Sequence, residues 1–406
     1  MVHQTITTKT SPANKASSKI RPMSQLLFNR FNPPWAALAL AAIVGSLGGC
    51  SFAPVSKSPP DVPAIGSPQD TDPLLPAINQ AKSRWVPVHW GHLPGLETDA
   101  VHEAWPAWLH SCQRPSKAWT ALCPEVQRLS NASTQTQRHW IRQNLQPYRV
   151  ESSEQRTDGL LTGYYEPVLD ASRLPRQGFA VPLYAPPASL AQRKPWYSRQ
   201  EMETLSAART ALRGKELVYL ADPVDAMVLH IQGSGLINLT EPDGRQRLVR
   251  LAFAGTNEQP YKSIGRWLLD QGVIRDASWP GIKAWIDRNP SRVNELLWQN
   301  PRVVFFKEEA LPQGITPPGP KGAQGVPLTA GRSIAVDRGS IPYGTPVWLR
   351  SQGPQTSLDK LVLAQDTGTA IVGAVRADYY AGSGPAAGEL AGRLKQPLQL
   401  WVLWPK

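Results

Sequence analysis

A mainly β fold with flanking helices, closed as a barrel rather than laid out as a parallel sheet, is what this sequence predicts. Three observations carry the prediction. The chain holds 40 prolines in 406 residues, which argues against long helices and for many loops and short strands. A series of short apolar runs follows Tyr148, separated by Gly, Pro and Asp. Helical patterns are few, and no internal repeat is visible, so many short strands must find partners around a closed sheet. Hydrophobic residues make up 41%, and the length suits two domains, so a sizeable core is available.

The elements follow in order. Ala104, Trp105, Trp108 and Leu109 share one helical face. A second helix is expected over 134–145, ended by Pro147. Strands are expected at 160–165, 179–184, 217–220, 227–231, 248–253, 302–306, 333–336, 346–349, 361–364 and 398–403. Helices are expected at 198–212, 263–271, 282–287 and 291–297, with Ser263 as an N-cap. The chain carries 15 tryptophans, which suit core packing or stacking on sugar rings; core packing is the default for any one of them.

The N-terminal region reads as an export signal. Residues 1–49 contain Lys9, Lys15, Lys19, Arg21 and Arg30 and no acid. The apolar stretch after Trp35 is too short to span a membrane comfortably and suits a signal-peptide core. It ends in Leu47, Gly48, Gly49 and Cys50, which resembles the lipobox of bacterial lipoproteins. That resemblance implies lipidation of Cys50, loss of residues 1–49, and anchoring by acyl chains at about 0.8 kcal/mol per buried methylene. Ser51, rather than Asp, implies sorting to the outer membrane. Residues 50–84 form the lipidated cysteine and a Pro-, Ser- and Asp-rich tether, with order expected from about Trp85. The whole chain carries +12, of which the signal accounts for +5, leaving a mildly basic body of +7 that suits anionic polymers. No basic–aromatic run, zinc finger or helix-turn-helix pattern points to nucleic acid. Cys112 and Cys123 are the thiols left after Cys50; in an oxidising compartment they suggest one disulfide, with two buried free thiols as the alternative.

Several segments combine Gly, aromatics and polar residues where a plain strand would not. They are Thr162 to Glu166 with the Tyr164 and Tyr165 pair, His230 to Gly235 with Gln232 and Ser234, Tyr261 to Gly265, Asp337 to Gly344, and Asp366 to Tyr380. Adjacent tyrosines on a strand face opposite ways, so one at most faces a given cleft. Ser234 lacks the Gly two residues before it that a nucleophile elbow requires. His89 and His92 lack partners at metal-ligand spacing, so neither a metal nor another cofactor is expected. Asp337, Asp366 and Asp378 cluster in the last strands. The Asp366–Thr367–Gly368 loop could be half of an aspartic peptidase site, though no second such loop exists to share its proton.

Taken together and in order, these segments resemble the family of membrane-bound lytic murein transglycosylase A. The match runs from Leu93, Pro94 and Gly95, with Ala104 to Trp108, through the motifs above, Asn300, Pro301, Phe305 and Phe306, to the C-terminus. The resemblance implies a double-psi β-barrel with flanking helices over 85–167 and 306–406, an inserted second β-domain over 168–305, and a groove between them for glycan strands. It implies that Asp378 is the catalytic acid, with Asp366, Asp337, Gly368, Thr162, Tyr164, Tyr165, Gln232 and Ser234 as supporting or substrate-binding positions. It also implies peptidoglycan as substrate, an outer-membrane lipid anchor, and cell-wall synthesis enzymes as partners. One carboxyl suffices for such an enzyme, because the sugar's own C6 hydroxyl replaces the water a hydrolase must activate. That acid must be protonated to work, so a raised Asp378 pKa is expected. A wall-binding lipoprotein without catalysis is the non-enzymatic alternative.

Overall fold

The computed structural model describes residues 73–312, 316–354 and 356–406. The expected signal peptide, Cys50, Ser51 and most of the tether lie outside them. Strand pairing begins with the hairpin of β1 (Ile78–Asn79) and β2 (Arg84–Pro87), ahead of Trp85. Helices α1 (Trp105–Cys112), α2 (Cys123–Arg128) and α3 (Thr134–Asn144) follow. The Ser133 hydroxyl accepts from Thr136 N and caps α3. Leu145 turns extended at its end, and the chain runs straight into β3 (Leu145–Glu151) with Pro147 inside the strand. Then comes β4 (Gly159–Glu166).

The middle of the chain builds a second sheet. Its strands are β5 (Val168–Ser172), β6 (Val181–Tyr184), β7 (Glu216–Leu220), β8 (Gly235–Thr240), β9 (Gln246–Thr256) and β10 (Val304–Ala310), in the order β10-β9-β8-β5-β7-β6. Around it pack α4 (Arg199–Thr204), α5 (Ser206–Leu212), α6 (Pro223–Gln232), α7 (Ile264–Asp270), α8 (Trp279–Arg288) and α9 (Val293–Trp298). Ser198 and Glu201 form a capping box on α4, and the Ser263 hydroxyl accepts from Arg266 N on α7. The helix expected over 198–212 is broken at Leu205, whose backbone is extended.

One strand expectation is wrong in kind. Met227–Ile231 lies in α6, a helix whose apolar residues are buried on all sides and so show no helical period. Its ends were readable: the Asp222 carboxylate accepts from Val224 N ahead of Pro223, and Gly233 stops the helix at φ +85°. The strands β1, β2, β3, β5 and β8, and the later strand over Arg376–Ser383, have no counterpart among the expected ones.

The remaining strands are β11 (Ser333–Val336), β12 (Thr345–Gln352), β13 (Ser357–Asp366), β14 (Arg376–Ser383) and β15 (Lys395–Pro405), with α10 (Pro385–Arg393) before the last. Strand β15 is long enough to pair with three strands: with β12 and β3 along its later half and with β4 through Lys395–Leu398. The circuit β15-β12-β13-β11-β14-β4 therefore closes into a barrel, with β3, β2 and β1 extending one edge. Closure removes the exposed edges an open sheet would leave. The architecture is mainly β with flanking helices: a barrel plus a second β-domain, as the sequence predicts.

Two cores meet at the barrel wall. Its inside is filled by aliphatics such as Leu161, Val336, Val362 and Leu400. Its outside carries α1 to α3 through a tryptophan-rich cluster of Trp90, Trp105, Trp108, Trp119, Trp140 and Trp401. These tryptophans serve the core rather than a sugar surface. Buried Arg332 pins this layer, donating to both Asp99 carboxylate oxygens at 2.9 Å and to Glu103 at 2.7 Å.

Cys112 and Cys123 are joined as a disulfide tying α1 to α2, with 11 residues of sequence separation. Closing so short a loop gives about 3 kcal/mol in the chain-entropy account. Replacing both cysteines by serine is expected to lower unfolding free energy by about 2–3 kcal/mol in urea titration. An unchanged midpoint would mean that the helical layer holds without it.

Candidate functional site

The barrel's register sets two carboxylates on either side of one small residue. Ala335 on β11 pairs with Asp366 on β13 and with Asp378 on β14, and Asp378 pairs in turn with Thr162 on β4. Paired residues share a face of the sheet, so these four form a row across neighbouring strands. The two aspartate backbones lie two strand spacings apart, about 10 Å.

Each carboxylate has its own support. Asp378 Oδ1 accepts from the Thr162 hydroxyl at 2.5 Å. Arg376 Nη2 donates to the Thr162 oxygen at 2.8 Å, which turns the hydroxyl proton toward Asp378. Among the described residues no hydrogen bond reaches Oδ2. Asp366 Oδ1 accepts from Ala323 N at 2.9 Å, and Oδ2 accepts from the Tyr164 hydroxyl at 3.0 Å. Gln365, next to Asp366, is tied from behind to Ala107 and Ser111 of α1.

Protein surrounds both groups on most sides, although each keeps an opening to solvent. Burial pushes the Asp366 carboxyl up to about 6, against donors at Thr367, Ala323 and Tyr164, and the Asp378 charge adds to the rise. Burial also raises Asp378, opposed by the Thr162 hydrogen bond and the Arg376 charge. Burial, with the two aspartates beside it, holds the Tyr164 phenol well above its usual range, so it remains a donor.

Two adjoining cavities open on this row. One is lined by Thr162, Arg376 and Asp378 from the barrel and by His230, Asn300 and Arg302 from the second domain. The other is lined by Tyr164, Gln232, Ser234, Lys307, Lys321 and Asp366. Gly368 and Arg302 line both, so the two form one groove between barrel and second sheet. Gln232 Oε1 accepts from Tyr165 N at 3.0 Å, joining α6 to β4 at the rim. Tyr165 itself packs against α10 near Gly388, opposite in sense to Tyr164, as strand alternation requires.

Asp337 takes another place. It lines neither cavity and sits below the usual carboxylate range. Burial works against its charge, but Gly373 N–H, Lys82 and Gly339 N–H outweigh that penalty. Lys82 Nζ lies 2.9 Å from Asp337 Oδ2, and Gly373 N donates to the same oxygen at 2.9 Å. Asp337 therefore orders the loop between Asp366 and Asp378 rather than facing the groove. Nothing local in the sequence marks Arg302, Lys307 and Lys321 as rim residues or joins Arg376 to Thr162.

The raised Asp366 carboxyl has a stability consequence. Burial pushes it up to about 6 in the folded chain, against about 3.8 for an aspartate in water, so between those values the folded chain holds a proton the unfolded chain has released. Stability therefore falls as pH rises through that window and stays reduced above it, by roughly 2–3 kcal/mol. Asp366→Asn is expected to melt higher than the parent at pH 7.5 and no higher at pH 4. A lower melting temperature at pH 7.5 would show that the donors, not burial, dominate there.

The barrel thus sets two carboxyls of raised pKa on the wall of an open groove. The comparisons give the family. Residues 160–307 match the MltA specific insert domain, and residues 332–404 match the 3D domain. A membrane-bound lytic murein transglycosylase A of Vibrio cholerae is 32% identical over 274 residues, covering 64% of this chain and 69% of the relative. Among solved structures, the lytic transglycosylase LtgG of Burkholderia pseudomallei is 42% identical with a TM-score of 0.57, covering 82% of this chain and 98% of that one. Escherichia coli MltA with bound chitohexaose is 27% identical with a TM-score of 0.61, covering 84% and 96%. The chain belongs to the membrane-bound lytic murein transglycosylase A family.

Proposed function

We propose that this protein is a lytic transglycosylase that cleaves the MurNAc-β-1,4-GlcNAc bond of peptidoglycan and leaves 1,6-anhydro-MurNAc ends, with Asp378 as its acid and then its base. The observation that carries the reading is Asp378 itself: a half-buried carboxyl with raised pKa, held on one oxygen by Thr162 and lining the groove. A glycosidic oxygen leaves only when protonated as its bond to C1 breaks. Asp378 gives that proton. Its carboxylate then takes the proton of the C6 hydroxyl on the same muramyl residue while O6 bonds to C1. The proton returns to Asp378, and no water is consumed. Asp366, steadied by Tyr164 and Ala323 N, supplies negative charge near the developing cation.

The two aspartates are separated by β11, and among the described residues no hydrogen bond joins them. That is unlike the shared-proton pair of an aspartic peptidase. A second carboxyl on the groove wall is what a hydrolase needs to activate water, so the product decides. Mass spectrometry of digested sacculi is expected to show muropeptides one water lighter than hydrolysis products. Hydrated ends would make the enzyme a hydrolase.

The anchor belongs to the same proposal: Cys50 carries lipid and holds the enzyme at the outer membrane, facing the periplasm. The tether reading of residues 50–84 and the sequence at 47–51 support it. Domain limits of 85–167 with 306–406 for the barrel and 168–305 for the insert belong to the proposal; β5 to β9 fall inside the insert limits, whereas β10 (Val304–Ala310) of the second sheet runs past 305 and β1 of the barrel sheet starts ahead of 85. Cell-wall synthesis enzymes are the proposed protein partners. Labelling with palmitate should be lost in Cys50→Ala, and label that persists would place the lipid elsewhere.

A further inference from the structure

His230 lines the same cavity as Asp378, yet the chemistry above leaves it without a task. It stands in the last turn of α6. Arg199 Nη2 lies 3.0 Å from its Nδ1. A guanidinium has no lone pair to offer, so Nδ1 must be the bare, accepting nitrogen. The proton of the neutral ring then sits on Nε2. Charging the ring would set two donors against each other at Nδ1, beside a buried cation. Burial first, and the Arg199 charge second, hold the imidazole well below its ordinary value.

The ring is also fixed in place. Arg199 donates to the carbonyl oxygens of Asn300 at 3.1 Å and Arg302 at 2.8 Å, both on residues of the cavity wall. The imidazole stacks on Phe306 of β10, with centroids 5.7 Å apart. Flipping it would turn a C–H toward the guanidinium and lose the hydrogen bond.

We infer that His230 is a substrate-contacting donor, held by Arg199 as the neutral Nε2–H tautomer, that takes the acetamido carbonyl oxygen of a sugar bound beside Asp378. The inference rests on the glycan-cleaving reading and adds a specificity residue to it. The acetamido carbonyl is the strongest neutral acceptor such a sugar offers a neutral N–H. Neutrality matters because cleavage builds positive charge at C1. The charged and titratable groups around the ring are Arg199 from α4, in contact with it, and, lining the same cavity, Arg302 and Tyr261 from the second domain and Arg376 and Asp378 from the barrel. An imidazolium would add to the cations already there. Arg199 is thus a positioning residue that keeps His230 a donor without letting it become a charge.

Two measurements test this. Imidazole 15N shifts in the labelled protein should report the Nε2–H tautomer, unchanged from pH 5 to pH 8, and Arg199→Met should restore titration in that range. An Nδ1–H tautomer or a titrating ring in the parent protein would overturn the inference whatever the variants do. In an Asp378→Asn background, His230→Leu should weaken chitohexaose binding about tenfold, and His230→Gln, which keeps a distal N–H, should stay within about threefold of it. Equal affinity of the Leu variant would remove His230 from the binding surface. Wild-type protein that yields no anhydro ends would sink the functional reading instead, so the two failures are separable.

Discussion

Asp378→Asn is expected to lower the turnover of peptidoglycan by about 10³-fold or more while leaving glycan affinity within about threefold. The asparagine keeps the shape of the carboxyl, and its oxygen can still accept from Thr162, so the row of Thr162, Asp378, Ala335 and Asp366 stays intact. What it loses is the proton that leaves and returns. Anhydromuropeptide release from purified sacculi checks the rate, and calorimetry with chitohexaose checks binding. The paired variant Asp366→Asn is expected to keep more activity, because Asp366 acts through charge and is tied on both oxygens. Activity retained in Asp378→Asn and lost in Asp366→Asn would move the acid to Asp366. The pH profile should agree. A general acid works only while protonated, so activity should fall as pH rises past the raised Asp378 value.

Local chemistry was legible where it is local. The capping serine at Ser263, the β4 run and the short apolar strands of the barrel each follow from residues within a few positions of one another. The misreading of Met227–Ile231 has the same root. A buried helix has no polar face, so its apolar run looks like a strand, and only Asp222, Pro223 and Gly233 at the ends tell the two apart. The site was half legible. Asp366 and Asp378 stood out, but which lies beside which is decided by β11 pairing in parallel with β13 and antiparallel with β14. No local pattern encodes that. Nor does any pattern join Arg376 to Thr162, or His230 to Arg199, across the fold. In the sequence Asp337, Asp366 and Asp378 form one cluster around the last strands. The structure separates them by their partners: a hydroxyl relay on Asp378, a phenol and a backbone N–H on Asp366, and an ammonium on Asp337.

Breaking the Glu166–Arg250 pair should cause the largest loss of stability of any single substitution discussed. Glu166 ends β4 of the barrel, and Arg250 lies on β9 of the second sheet. The side chains are 0% and 4% exposed, and Arg250 reaches the two carboxylate oxygens at 2.6 and 3.1 Å. Arg250 also donates to Pro318 O at 2.6 Å, and the Ser383 hydroxyl donates to Glu166 at 3.1 Å. Glu166→Gln or Arg250→Met leaves a partner charge buried without its counter-ion, which costs about 3–5 kcal/mol. Urea denaturation measures it, and a change below about 1 kcal/mol would mean that water reaches the site. Replacing both residues with leucine should recover most of the loss, since an apolar pair has no charge to strand. Activity need not recover with it. The pair is bidentate and directional, and it fixes how β4, which carries Thr162 and Tyr164, meets the sheet that carries the other wall of the groove. An apolar pair fills the space without setting that angle. The double variant should therefore fold well and still show a raised KM on long glycan strands, which would separate the pair's contribution to stability from its contribution to the shape of the groove.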